Sequence, residues 1–175
     1  MMYGNERSLE REKIYNLLKA NGEVVQCTGK IQWITIYENT LKKLILGITN
    51  KGEYIFIDAG KIFLLNDKKM FLYCVKLLET PYTSIQEYIE LQYKKVFSET
   101  NVTEMEVFPY YEIVEFALEN LYSDYWVELV WKWYEHFSCS KKHDLYDSLE
   151  KISKVKKISQ QNRNIARREM KRLKK

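Results

Sequence analysis

The sequence predicts an α+β fold, in which an N-terminal helix and a small antiparallel β-meander precede a C-terminal helical part with a long last helix. Segments rich in β-branched and aromatic residues lie between residues 31 and 65, and such segments favour strands. Helical spacing of apolar residues occupies the chain before and after them. Because the 175 residues contain no internal repeat and no Pro/Gly/Ser-rich linker, we expect a single α+β domain over residues 1–153 and a basic helical extension over residues 154–175.

The predicted meander rests on four short segments and the links between them. The segments with strand-like content are residues 31–37, 44–48, 54–57 and 62–65. Between the second and the third, Asn50 and Gly52 are able to take positive φ, which is typical of a hairpin turn. Since all the links are short, the antiparallel arrangement of consecutive strands is favoured.

The remaining segments have helical periodicity. We place these helices at residues 8–20, 67–79, 84–97, 110–121, 125–137 and from residue 144 onward. Asn21 and Gly22 provide a stop signal for the first helix, and Ser84 provides a capping-box start for the third. Ser123 or Asp124 is suited to cap the fifth helix, whose aromatic content predicts burial on most sides.

Charge is distributed unevenly along the chain. Although the net charge is +4, residues 1–150 carry 17 basic and 23 acidic residues, whereas residues 151–175 carry 11 basic residues and one acidic residue. The sequence therefore predicts an acidic body with a basic tail. The 14 Tyr and 4 Trp indicate a large aromatic core or a surface built for contact.

The chain contains no recognisable catalytic or cofactor motif. Gly-rich phosphate-binding loops and hydrolase motifs are absent from the sequence, so we expect a protein that is not an enzyme and uses no cofactor. Three cysteines at long spacings, together with the lack of a secretory signal and of a membrane-spanning run, favour a cytoplasmic protein with reduced thiols.

One short cluster has residue types that ligate metals. His136, Cys139 and His143 lie close together in the sequence, and zinc accepts imidazole and thiolate ligands. However, these residues lie in a segment that joins two predicted helices, so their spacing does not place the three side chains on one helix face. We therefore predict that no metal is bound. An enzyme of unfamiliar type that uses these residues is the lesser alternative.

An acidic face with neighbouring tyrosines is the predicted partner-binding site. The candidate residues are Glu112, Glu115, Glu119, Tyr122, Asp124, Tyr125 and Glu128. Tyrosine rings supply contact area and carboxylates steer a basic partner, which is the chemistry of a binding hot spot. The alternative interpretation is a solvated helix face, which is the usual meaning of such a run of acids.

The basic tail provides an alternative site, for nucleic acid. The candidate residues are Lys156, Lys157, Arg163, Arg167, Arg168 and Arg172. A basic helix binds phosphate backbones without sequence preference, although this one lacks the aromatic residues that stack on bases. The other interpretations are that the tail packs on the acidic face of its own protein or acts as a solubilising extension.

Residues 117–133 carry a resemblance to a known class of proteins. Their sequence, ALENLYSDYWVELVWKW, resembles a helix–turn–helix pattern of the type AL-x-S-x-S-x-YW-x-x-LAL-x-W, which recurs in bacterial immunity proteins of toxin–immunity pairs. The resemblance implies a cytoplasmic bacterial protein that binds and neutralises one cognate protein toxin, which in many pairs is a basic nuclease. An acidic inhibitor surface would then mimic the nucleic acid or cover the active site of the toxin.

Overall fold

The fold is described from a computed structural model that covers residues 3–100, 102 and 104–174. It confirms the α+β class, with an N-terminal helix, a five-stranded antiparallel sheet and a C-terminal series of helices. The chain divides into two compact units. Met1–Tyr73 and Thr83–Pro109 form the first, and Cys74–Tyr82 and Tyr110–Lys175 form the second. The predicted boundary at residue 153 stays a prediction.

The sheet of the first unit is the predicted meander with one additional strand. The strands are β1 (Gln26–Thr28), β2 (Ile31–Asn39), β3 (Leu44–Thr49), β4 (Tyr54–Asp58) and β5 (Lys61–Leu65), and each pairs antiparallel with the next. Sequence analysis missed β1 because three residues are too few to display an alternating pattern. It is joined to β2 through Gly29, which has a φ of 60°.

The N-terminal helix α1 (Tyr3–Ala20) packs on β2 and β3. It ends where predicted, with Gly22 at a φ of 89°. The predicted β3–β4 turn is also confirmed, although Gly52 (φ 68°) takes the positive φ and Asn50 does not. Arg11 Nε donates to the Gly52 carbonyl at 2.7 Å, so this turn is connected directly to the helix.

The segment after the sheet departs from the predicted helices. Residues Lys68–Glu79 form a 3₁₀ helix, and the predicted helix at residues 84–97 is divided into α2 (Tyr82–Gln92) and α3 (Lys94–Glu99). The predicted start at Ser84 is therefore wrong by two residues. The break falls at Tyr93, whose hydroxyl donates to the Thr35 carbonyl beside a bulge in β2. A short helix, α4 (Glu104–Val107), follows.

The second unit contains two helical hairpins. They are formed by α5 (Tyr110–Asn120) with α6 (Asp124–Tyr134), and by α8 (Tyr146–Lys154) with α9 (Gln160–Leu173). The short helix α7 (Cys139–Asp144) lies between them in the chain. Because α5 contacts α8 and α6 contacts α9, the hairpins stack as successive layers, in the manner of helical repeats.

The long last helix is α9, which spans 14 residues. The expected single helix from Asp144 onward is wrong, because α8 ends at Lys154 and the chain turns at residues 155–159 before α9 begins. Val155 is extended there (φ −72°, ψ 114°), and Ser159 accepts a hydrogen bond from the backbone of Asn162 as an N-cap. A capping serine therefore begins a new helix where the apolar pattern alone suggested continuity.

Candidate functional site

Two of the acidic residues of α5, Glu115 and Glu119, are held by contacts within the second unit. Glu112, Glu115 and Glu119 are half-buried. The Tyr111 hydroxyl donates to Glu115 at 3.2 Å, and Lys151 Nζ forms an ion pair with Glu119 at 3.2 Å. This α5 face therefore offers less free negative charge than its sequence suggests, because part of that charge is already paired.

The turn between α5 and α6 is different, since its side chains reach solvent. Tyr122 is 38% exposed and Tyr125 is 54% exposed, and Glu128 is exposed one helical turn beyond Asp124. We call Tyr122, Tyr125 and Glu128 the tyrosine turn. It combines two accessible aromatic rings with a carboxylate.

Both rings of the tyrosine turn are oriented by their hydroxyls. Tyr122 donates to the backbone carbonyl of Glu119 at 2.5 Å, and Tyr125 donates to the carboxylate of Glu79 at 2.8 Å. The bond to Glu79 is the main cause that raises the pKa of Tyr125. Bonds of this kind reduce the number of conformations that each ring samples, so less entropy is lost when a partner binds.

Asp124 connects α6 to the start of α9. Its Oδ1 accepts hydrogen bonds from Asn162 Nδ2 at 2.7 Å and from the backbone N–H of Ser159 at 2.9 Å. These bonds lower the pKa of Asp124, because they stabilise the ionised form. The expected capping bond of Ser123 is not formed. Asp124 instead joins the first turn of α6 to that of α9.

Asn162 completes this connection. Its side chain is 2% exposed, and its Oδ1 accepts a hydrogen bond from the indole N–H of Trp131 at 2.9 Å. We call Asp124, Trp131, Ser159 and Asn162 the amide clamp. Sequence analysis missed it because the bonds that join α6 to the start of α9 connect residues 31 to 38 positions apart. The available signal was an Asn three residues after a capping Ser.

The basic residues of the tail belong to an ordered, packed segment. Lys156 and Lys157 are exposed in the turn before α9, and Arg167, Arg168 and Arg172 are exposed on the helix. Arg163 is half-buried.

Several of these guanidinium groups are engaged locally. Arg163 donates to Gln160 at 2.7 Å, and Arg167 donates to the Ser153 carbonyl at 3.0 Å. Arg168 and Arg172 both pair with Glu169. The exposed lysines of the preceding turn therefore provide much of the accessible positive charge.

The cluster of possible metal ligands is not assembled. His136 stacks on Tyr82, with ring centroids 4.4 Å apart, and Cys139 is exposed at the start of α7. Within the described parts of the chain, no group of three or more His, Cys, Asp or Glu side chains is placed to hold a metal ion. The lesser alternative of a metal enzyme therefore gains no support from the geometry.

None of the helices in the described ranges has the length and apolar character that crossing a bilayer requires. Comparisons with protein-family models, with curated proteins and with solved structures found no match to this chain.

Proposed function

We propose that this chain is a protein-binding inhibitor that neutralises a cognate toxin, and that the tyrosine turn is the centre of its binding surface. The observation that carries the proposal is the pair of exposed rings, Tyr122 and Tyr125, each fixed by a hydrogen bond through its hydroxyl. Tyrosine is enriched among residues that dominate binding energy. It also offers a large contact area at low conformational cost.

The charge around the tyrosine turn favours a basic partner. Glu79, Asp124 and Glu128 lie in or beside it, together with Glu119, and Lys151 pairs with Glu119. An excess of carboxylates accelerates encounter with a positively charged surface and disfavours acidic proteins. Residues 117–133, which resemble a segment of immunity proteins, include the whole tyrosine turn. Because of this resemblance, the partner that we propose is a toxin.

Co-expression with the product of an adjacent gene tests this function. If that product is toxic, the wild-type chain should restore growth and form a complex that survives gel filtration. Tyr125→Ala and Glu128→Lys should weaken the complex, whereas Glu87→Lys, the same charge change at an exposed position of α2, should not. Truncation of a hot-spot side chain costs at least about 2 kcal/mol of binding, or roughly 30-fold.

The controls separate binding from folding. Tyr125→Phe retains the ring and removes the bond to Glu79, so it should lose less affinity than Tyr125→Ala. Equal affinity for Tyr125→Ala, Glu128→Lys and wild type would refute a role for the tyrosine turn. Absence of any complex with neighbouring gene products would argue against the inhibitor function itself.

A second candidate function is nucleic-acid binding through α9 and the turn before it, and a separate observation favours it. Lys156, Lys157 and Lys171 are exposed on an ordered segment, so several phosphates can be contacted without a folding cost. Each lost contact should reduce the slope of log K against log salt by about 0.9 for duplex DNA.

Substitution, and not truncation, is the appropriate test of this second function. Removal of the residues after Lys154 would delete Ile158, Asn162 and Ala166, which are buried, and would therefore damage the fold. Replacement of Lys156, Lys157 and Lys171 by Gln should weaken retention on heparin and on duplex DNA, and it should reduce the slope of log K against log salt for DNA. Unchanged DNA affinity would exclude this function.

A further inference from the structure

A pocket on the second unit lies apart from the tyrosine turn and shares only Arg168 and Arg172 with the candidate nucleic-acid site. It lies among α6, α7 and α9 and has a volume of about 280 Å³. Its apolar walls are Trp131, Tyr134 and Ile165. This volume lies near the lower end of the range for small-ligand pockets, so it suits a single ring or a short side chain.

One polar group in the wall of this pocket lacks a partner. Tyr134 is 2% exposed, and its hydroxyl has no hydrogen-bond partner among the residues that the structure describes. A buried hydroxyl without a partner destabilises the folded state, so a ligand that accepted its hydrogen bond would remove that cost.

The hydroxyl of Tyr134 lies in the electrostatic field of two residues of the pocket rim. Burial and the charge of Glu169 raise the pKa of Tyr134, while Arg172 opposes them. The phenol is therefore protonated at neutral pH, as a hydrogen-bond donor to an anionic ligand must be.

The rim has an excess of one positive charge. Three basic residues, Lys142, Arg168 and Arg172, and two acidic residues, Glu135 and Glu169, line the pocket. Glu169 is 12% exposed, and its Oε1 accepts from Arg172 at 2.8 Å and from Arg168 at 3.4 Å. Each guanidinium group has five N–H donors and uses one of them on Glu169. The remaining donors are suited to a second carboxylate, in the forked geometry that arginine favours.

We infer that this pocket binds the carboxylate of a monoanionic ligand, with the Tyr134 hydroxyl and the guanidinium of Arg172 as donors and an apolar group between Trp131 and Ile165. One added negative charge neutralises the single positive excess of the rim, whereas a phosphate dianion would leave an excess of negative charge beside Glu169. Two sources have this chemistry: a free small monocarboxylate, and the C-terminal carboxylate of a partner chain with an apolar last residue.

Titration with defined probes distinguishes these sources. The indole N–H resonance of Trp131 is followed by NMR while benzoate is added, with benzamide as its neutral counterpart. A short peptide that ends in Phe is compared with the same peptide amidated at its C-terminus. Binding of benzoate but not benzamide supports a small-molecule site, and binding of the acid peptide alone supports recognition of a chain terminus.

Tyr134→Phe is the decisive variant. Because the hydroxyl has no partner in the described structure, its removal should leave stability unchanged or raised, while affinity for the probe should fall by about 10-fold. Tyr15→Phe is the matched control, since the Tyr15 hydroxyl is also buried without a partner among the described residues and lies in the first unit. It should leave probe binding unaltered.

Arg172→Gln, which removes the positive excess at an exposed position, provides a second variant and should also weaken binding. The inference is overturned if no probe binds at about 10 mM, a concentration roughly tenfold above a weak Kd of about 1 mM. It is also overturned if Tyr134→Phe binds the probe as tightly as wild type. Neither result bears on toxin binding, because Tyr134 and Arg172 lie outside the tyrosine turn.

Discussion

Replacement of Asn162 by Ala should be among the most damaging single changes at a polar residue in the second unit. The substitution removes the only acceptor that the described residues provide for the indole N–H of Trp131, a residue that is 8% exposed. An unsatisfied buried donor costs about 1–3 kcal/mol, so we expect a loss of about 2 kcal/mol in the free energy of unfolding. For a chain of this size that corresponds to a decrease in Tm of roughly 4–8 °C.

Urea denaturation followed by tryptophan fluorescence measures this loss. The control is Asn164→Ala on the same helix, because Asn164 is exposed and bonds to side chains of its own helix. Both changes gain the same helix propensity, so their difference isolates the amide clamp. We expect Asn164→Ala to remain within about 0.5 kcal/mol of wild type.

A double-mutant cycle with Trp131→Phe extends the test. Since the double variant removes both donor and acceptor, the combined loss should be smaller than the sum of the single losses by about 1 kcal/mol. If Asn162→Ala is no less stable than Asn164→Ala, or if the cycle is additive, the clamp is not a stabilising contact.

Three further changes have expected outcomes. The pKa of Asp124 in the folded state is depressed from its ordinary value of 3.8. The ionised carboxylate therefore stabilises the fold above that value, and this stabilisation is lost as pH falls through the lower folded pKa. The difference in urea midpoint between wild type and Asp124→Asn should shrink from about pH 6 to about pH 3. Gly52→Ala should cost more than about 1–2 kcal/mol, because φ is +68° and the added Cβ would lie 2.0 Å from the Ser8 carbonyl oxygen. Gly60→Ala, with a φ of +81° and no atom within 4 Å of its Cβ, isolates the backbone part of that cost, and equal losses would contradict the steric argument. Ser159→Ala removes the N-cap of α9 and should lower stability by about 1 kcal/mol in the same urea assay, whereas an unchanged midpoint would show that the cap is dispensable.

The sequence was sufficient for four of the five strands because the signals there are local. β-Branched and aromatic residues, with Gly52 in the β3–β4 turn, determine these strands and their order, whereas β1 is too short to show a pattern. By contrast, the break between α2 and α3 depends on Tyr93 and Thr35, which are 58 residues apart. No local pattern contains that information, because the helical periodicity continues through the break.

The candidate sites follow the same division. The exposure of Tyr122 could be anticipated from its place in a predicted turn, whereas Tyr125 and Glu128 lie in a helix that the sequence predicted to be buried on most sides. The pairing of Glu119 with Lys151 and of Asp124 with Asn162 could not, since each depends on how the second hairpin stacks on the first. Sequence analysis therefore overestimated the free negative charge of α5 and treated Asp124 as a surface group.

The amide clamp has a consequence for how the second unit opens. Asn162 is shared between Trp131 of α6 and Asp124 at the start of that helix, so α9 cannot detach without exposing an indole and a carboxylate together. Local openings of packed elements occur in cooperative groups. The backbone amides of α6 and α9 should therefore exchange with solvent deuterium at a common rate, and a ligand that protects one helix should protect the other.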